Sequence, residues 1–400
     1  MADKPPAADG PFDDRLLPTP EIVRAIGQTV AEALDLTSWE RHGGLEQMLG
    51  RIGQFVDTTV QADQRMHGIL RSQVLSRLHQ FTDAPAEAGL YRIEPRHLRA
   101  ALHNHLIPGR VTAAHGAGTG HDTLSASIIS IGVCLVRYDG EQRSWRTTFL
   151  RHDYDVAGDD PTEEVRRFLD RKHGQESTGG VSRDRLSYLL RRGFLAAAER
   201  KALLEKAPAG WRMGRGMPAP LELLTGAGST ALLDHVLPIL DQLLLQQTRW
   251  VFVPTSSNAA LTAMAAGLDA GELAILMKYK ATLQDVLERG HFEQGYRKRV
   301  LDIAERLGER VVVGAFKATT HSPAQLFLAP AETALLAGIV AMADAQLQPH
   351  RGVPLLLDLA GESVKAGIGI EAFSGVVELA YARAGVGGLL VREPVLSESA

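Results

Sequence analysis

Three β-prone runs follow one another between residues 110 and 152, at 110–114, 126–138 and 145–152, and "YDGEQRS" joins the last two. An Asp-Gly pair between apolar runs favours the tight turn that matches strand twist, so the spacing predicts a three-strand antiparallel meander. Such a sheet has an apolar face to cover, and the flanking sequence supplies helices. Upstream, apolar residues at three-to-four spacing (Met48, Ile52, Phe55, then Met66, Ile69, Leu70) predict helices over 19–36 and 43–81. Downstream, the pattern predicts a helix over 229–247, a strand at 249–254, a helix from 256, a strand at 272–277, helices across 281–307 and a strand at 309–316. Helices at 331–347, 353–366 and 370–384 and a short strand in "GGLLVRE" complete the pattern. This order implies an α/β fold, one mixed sheet flanked by helices. It divides the chain into a disordered acidic and proline-rich lead-in at 1–18, a helical region at 19–108 and an α/β domain at 109–400. "DDPTEEVRRFLDRK" reads as a helix start and "HGQESTGG" as a surface loop.

With 400 residues, 45% hydrophobic and 22% charged, the chain has the composition of a soluble globular protein. A net charge of −4 excludes a surface built throughout to coat nucleic acid, while leaving room for a local basic groove. The single cysteine, Cys134 in "IISIGVCLV", excludes an internal disulfide and a thiolate zinc cluster, and points to a reducing cytoplasm. "MADKPPAADGPFDD" lacks the apolar core of a signal peptide. Pro330, Glu332 and Asp344 interrupt "LFLAPAETALLAGIVAMADAQL", which therefore reads as a core helix rather than a membrane span.

Two stretches could carry chemistry. "GRVTAAHGAGTGHDT", residues 109–123, reads as a short strand ending in a glycine-rich turn. "GAGTG" lacks the Lys-Ser/Thr of a P-loop and the glycine spacing of a dinucleotide fold, so a phosphate cradle is disfavoured. His115, His121 and Asp122 have ligand types that suit zinc or manganese, although polar residues in a turn are the commoner explanation. In "GRGMPAPLELLTGAGS", Pro218 and Pro220 set up a helix start with Glu222 in its first turn. An acid there either stabilises the helix N-terminus or belongs to a metal-binding or acid-base cluster near His115. Basic clusters occur at "YRKR" (Arg297, Lys298, Arg299), at "LMKYK" and at Arg191, Arg192, Arg212 and Arg215. Each can neutralise a few phosphates at most, and a solvated helix face explains any one alone. Trp145, Trp211 and Trp250 read as core residues.

The order of these stretches resembles the NurA nucleases, a family with an RNase H-like fold that works with the hexameric DNA-translocating ATPase HerA. In that family a first strand ends in an Asp-Gly-Ser type turn, a long hairpin follows, a glutamate starts a helix, and the next strand ends in another Asp-Gly turn. "VTAAHGAG" is similar to the first turn, "ISIGVCLVRYDGEQRSWRTTFL" to the hairpin, "PLELLTGAGSTALLDHVLPILDQLLLQQ" to the glutamate and its helix, and "RWVFVPTSSNAAL" to the second strand and turn. "HRGVPLLLDLAGESVKAG" resembles the closing Tyr-Pro-x-x-L segment, with Val353 in the tyrosine's place.

The resemblance implies a catalytic set of His115, Glu222 and Thr255, with Pro254 in Thr255's place if the turn is offset by one. It implies Mn²⁺ or Mg²⁺ held by Glu222 with Asp122 if the site is active, Asp153 and Asp155 being nearby alternatives. DNA contact falls to His350, Arg351, Arg297, Lys298 and Arg299, and the partners are DNA and a HerA-like ATPase. Phosphodiester hydrolysis of this kind needs two or more carboxylates converging on the metal, and only Glu222 of the expected acids is present. The site is therefore expected to be weakened or lost. The competing readings are a non-enzymatic assembly subunit without a nucleic-acid role, and an unrelated hydrolase using His115, Asp122 and Glu222. The apolar surplus of 43–81 predicts a homodimer through the helical region.

Overall fold

The computed structural model describes residues 28–37, 45–81, 84–123, 126–156, 188–208, 210–255, 259–280, 294–385 and 390–392, with Val23, Trp39 and Leu283. The lead-in at 1–18, the helix start at 159–172 and the loop at 173–180 lie outside the described residues. Contacts divide the chain between Arg65 and Met66 into two units. The first holds α1 (Val30–Ala33) and most of α2 (Leu45–Ile69). Thr29 accepts from Glu32 N while Thr29 N donates back to the Glu32 carboxylate at 2.8 Å, a capping box that fixes the start of α1.

In the second unit, β1 (Gly89–Arg92) and α3 (Pro95–Ala101) precede the meander β2 (Val111–Thr123), β3 (Ala126–Tyr138) and β4 (Ser144–Val156), which is antiparallel throughout. Helix α4 (Tyr188–Glu205) leads to β5 (Trp211–Arg215), α5 (Leu221–Leu224), α6 (Thr230–Leu240) and β6 (Trp250–Val253). Next come α7 (Ala259–Ala266), β7 (Glu272–Lys278), α8 (Gln294–Arg310), β8 (Val311–Lys317) and β9 (Gln325–Pro330). Helices α9 (Ala334–Ala345), α10 (Leu355–Ile368) and α11 (Ile370–Arg383) and β10 (Leu390–Arg392) close the series. One mixed sheet results, in the order β1-β7-β8-β9-β6-β5-β2-β3-β4, with β10 on the far end of β2. Strands β2, β5 and β6 are mutually parallel; the other pairings are antiparallel.

Alternation along the strands sorts side chains onto two faces. Ala113, Ala117, Trp211 and Met213 join Leu98 of α3, Val340 of α9 and Ala360 of α10 in one core. Ala114, Val133, Trp250 and Phe252 join Leu195 of α4, Leu223 of α5, Leu237 of α6 and Val300 of α8 in the other. The sheet is thus a wall between two helical layers.

The sequence pattern departs from this structure in four places. Strand β2 does not end at residue 114 in a glycine turn but stays extended through "HGAGTG" to Thr123. The short strands β1, in the region expected to be helical, and β5, "WRMGR", have too few residues to show a period-2 signal. Strand β9 occupies the start of the stretch read as one core helix, and the break falls at Pro330. Among the described residues no helix is long and apolar enough to cross a membrane.

Candidate functional site

The site is built where β2 and β5 lie side by side. His115 follows Ala114, which pairs with Gly214, so His115 and Arg215 are neighbours on adjacent parallel strands, ~4.8 Å apart at the backbone and on the same face. That face carries α10: a Cβ added at Gly361 would stand 3.2 Å from His115 Cδ2. The imidazole is buried beneath the helix and donates from Nδ1 to the Gly116 carbonyl at 2.7 Å.

Gly116 points the other way. A Cβ there would lie 2.6 Å from Leu195 Cδ1 and 3.0 Å from Glu199 Cγ, so glycine is what lets α4 approach β2. Its N–H donates to Glu199 Oε1 at 2.6 Å, and Glu199 Oε2 holds Arg200 Nη1 at 2.5 Å. Arg200 is fully buried and donates to the carbonyls of Ala196, Met217 and Pro218. Its guanidinium also lies over the Phe252 ring at 5.3 Å. Burial pushes its pKa down while Glu199 and Glu222 pull it back up. Helix α4 therefore clamps the segment leaving β5. That segment turns at Gly216, whose φ of +79° suits glycine, and enters α5, where Glu222 ion-pairs through Oε1 with Arg192 Nη2 at 2.6 Å.

Glu222 and His115 thus lie on opposite faces of the sheet. Thr255 lies just past the end of β6, with β5 between it and β2. Asp122 pairs across β2 with Ser127 and Val391, and its side chain lies outside the described residues, as does that of Asp155. His121 is 1% exposed. Asp153 belongs to the edge strand β4, where hydrogen bonds from Arg151 hold its carboxyl below the usual range. Among the described residues no three His, Cys, Asp or Glu side chains gather as a metal-holding group.

In this neighbourhood Glu199 was missed in the sequence, and Arg215 was read there only as one of a basic cluster. Glu199 sits inside an unremarkable amphipathic helix. Arg215 is recognisable only once β5 is known to be the strand beside β2.

The basic candidates separate. Helix α8 runs directly into β8, and β8 is parallel to β6, so α8 begins at the edge where β5 and β6 end. Exposed Arg297, Lys298 and Arg299 therefore share that edge with Arg215, Glu222 and Thr255. Arg299 pairs with Asp234 at 2.7 Å. A groove of about 440 Å³ beside it is lined by Leu237, Asp241, Lys298, Asp302, Ile303 and Arg306. His350 and Arg351 lead instead into α10 on the opposite face from Glu222; Arg351 pairs with Asp358 at 2.9 Å, and the His350 ring lies 6.2 Å from that of His321. Trp211 and Trp250 are core residues, and Trp145 lies partly buried under Arg137.

No protein-family profile matches the chain, and no curated protein matches it. Among solved structures it is similar to the NurA nuclease from Sulfolobus solfataricus, at 10% identity and a TM-score of 0.45, over 84% of this chain and 98% of that one. It is also similar to NurA at 8% identity (TM-score 0.38, 79% and 94% covered) and to NurA bound to dAMP and manganese at 9% identity (TM-score 0.38, 80% and 94% covered).

Proposed function

We propose that this chain is a NurA-like DNA-processing protein on an RNase H-like sheet, acting with a HerA-type hexameric ATPase, and that its nuclease chemistry is weakened or lost. The order of elements supports the first part: a long antiparallel meander, β5 parallel to its first strand, the short helix α5 bearing Glu222, then β6 parallel to β5. One observation carries the second part. The position where the resemblance expects a metal-binding aspartate holds His115, and its neighbour on β5 is Arg215.

Mn²⁺ and Mg²⁺ of this kind are held by converging hard anionic oxygens. The described residues do not fit such ions. Glu222 is engaged by Arg192, Glu199 by Gly116 N–H and Arg200, and the residue beside His115 on β5 is Arg215 rather than an acid. What the chain's own residues supply is an exposed basic cluster, Arg297 to Arg299, at the edge where β5 and β6 end.

The test is a paired measurement on the full chain with single- and double-stranded DNA. The expected result is salt-dependent binding without Mn²⁺-dependent cleavage. Alanine at Arg297, Lys298 and Arg299 should weaken binding and lower the salt slope by about 0.9 for each phosphate that is no longer neutralised. Absence of DNA binding at low salt would favour the alternative, an assembly subunit without a nucleic-acid role, for which the exposed apolar seam of α2 is the supporting observation. Mn²⁺-dependent cleavage by wild type would overturn the lost-site reading.

A further inference from the structure

Strands β1, β2, β4, β5, β6 and β8 run the same way and so begin at one edge of the sheet. It is the edge opposite Glu222, Thr255 and Arg297 to Arg299, which lie where β5 and β6 end. Four of these six strands follow directly on an arginine: Arg110 before β2, Arg143 before β4, Arg249 before β6 and Arg310 before β8. Two of the four have acids at hand. Arg143 closes the hairpin turn that carries Asp139 and Glu141, and Arg310 pairs with Glu332 at 2.8 Å. Arg110 and Arg249 are both exposed, and among the described residues neither forms an ion pair. The chain holds 47 acids against 43 lysines and arginines, so two guanidiniums left without an acid do not follow from an excess of bases.

These two flank the start of β5. The Arg110 carbonyl accepts from Trp211 N at 2.8 Å and the Arg249 carbonyl from Arg212 N at 2.9 Å, which puts their backbones two strand spacings, ~9.6 Å, apart. His105 joins them from the turn leading into β2: its carbonyl accepts from Arg110 N at 2.9 Å, and its ring stands edge-on to Trp211 at 6.4 Å. Burial holds this imidazole below the usual histidine range, and Arg110 and Arg249 both push it the same way, so the three groups share one positive field. Arg212 is turned elsewhere and donates to the Leu203 carbonyl of α4 at 2.9 Å. We propose that Arg110 and Arg249, with His105 beside them, bind a phosphate group across the start of β5. Guanidinium forks match phosphate oxygens, and two such charges suit a group with more than one negative charge better than a lone carboxylate. A nucleic-acid backbone and a free phosphate compound offer the same chemistry.

The site stands on its own observations, apart from the DNA reading, and its experiment separates the two. The full chain is titrated at low salt with inorganic pyrophosphate. A single-stranded oligonucleotide is titrated separately, into wild type and into a chain whose Arg297, Lys298 and Arg299 are alanine. Pyrophosphate should raise the melting temperature of wild type. Arg110→Gln with Arg249→Gln should remove that rise and keep the ligand-free melting temperature, since both side chains are exposed; Arg110→Lys with Arg249→Lys should keep part of it. Arg65→Gln with Arg77→Gln removes the same net charge from other exposed positions and should leave the rise intact. If the glutamine pair at 110 and 249, added to the alanine chain, also weakens oligonucleotide binding about tenfold or more, the phosphate comes from a nucleic-acid backbone. If it abolishes only the pyrophosphate effect, the ligand is a free phosphate compound. A wild type stabilised by pyrophosphate that binds no oligonucleotide supports this site and counts against the DNA reading. A wild type that pyrophosphate does not stabilise overturns the proposal. So does a rise that survives Arg110→Gln with Arg249→Gln, or one that Arg65→Gln with Arg77→Gln also removes.

Discussion

Arg200 is wholly buried and still forms a charge-assisted network, which is tolerable because Glu199 and three carbonyls satisfy it. Removing one partner leaves the other charge buried, so Arg200→Ala should lower unfolding stability by about 3–5 kcal/mol in urea denaturation. A loss under ~1 kcal/mol would show that the clamp on 217–219 is dispensable. Asp344, also fully buried, accepts from Tyr138 Oη at 2.6 Å and from Leu356 N at 2.9 Å. Burial raises its pKa to about 6, against the lowering effect of these bonds, and Asp358 adds to the rise. Because the folded value lies above the unfolded one, this contribution to stability is complete below the unfolded pKa and is lost as pH rises through 6. Wild type measured against Asp344→Asn should gain about 1.4 kcal/mol between pH 7.5 and 5; a flat difference would show that the carboxyl is ionised throughout. The proposed loss of the metal site can be probed at the same scale. His115→Asp with Arg215→Asp places acids on neighbouring strands. If Mn²⁺-dependent DNA cleavage appears in this variant and not in His115→Asp with Thr255→Asp, β5 rather than β6 carries the second position.

At the scale of elements, the glycines of β2 act by absence. Gly116→Ala would drive a Cβ to 2.6 Å from buried Leu195, so it should cost about 1–3 kcal/mol in thermal or urea unfolding. Gly361→Ala on α10 meets His115 at 3.2 Å and needs a shift of only tenths of an ångström, so it should cost less. Equal effects would mean that the two helices approach the sheet equally closely. The same glycines made β2 hard to read. "HGAGTG" has no alternation of apolar and polar residues, and glycine is as common in turns as at close helix contacts. The hairpin was legible because Asp139-Gly140 and the long apolar runs of β3 and β4 are local signals. Strand β5 was not, since "WRMGR" becomes a strand only through its pairing with β2 and β6.

At the scale of the whole molecule, the sheet decides which candidates can act together. His115 and Glu222 were grouped by their order in the chain. The sheet separates them, because the odd positions of β2 face α10 and the even positions face α4. It also brings Arg297 to Arg299 to the edge of β5 and β6, a placement no sequence distance suggested. Replacing His350 and Arg351 with alanine should therefore change DNA affinity less than replacing Arg297, Lys298 and Arg299. The reverse order in a salt titration would place the nucleic acid on the α10 face.

The sequence by itself determined what depends on neighbours along the chain. This includes the meander and its Asp-Gly turn, the amphipathic stripes of α2 and α8, the helices of the C-terminal third, and the scarcity of acids at the expected metal positions. These features arise from side-chain periodicity and turn chemistry, which act over a few residues. The tertiary structure alone decided which strand lies beside β2, which face His115 occupies, and that Glu199 rather than Glu222 touches the backbone of β2. Those outcomes depend on pairings between residues some 80 to 100 positions apart, Gly116 with Glu199 and Ala114 with Gly214. They are set by how closely a helix can approach a glycine and by the two-residue period of a strand, where a shift of one position sends a side chain to the opposite side of the sheet.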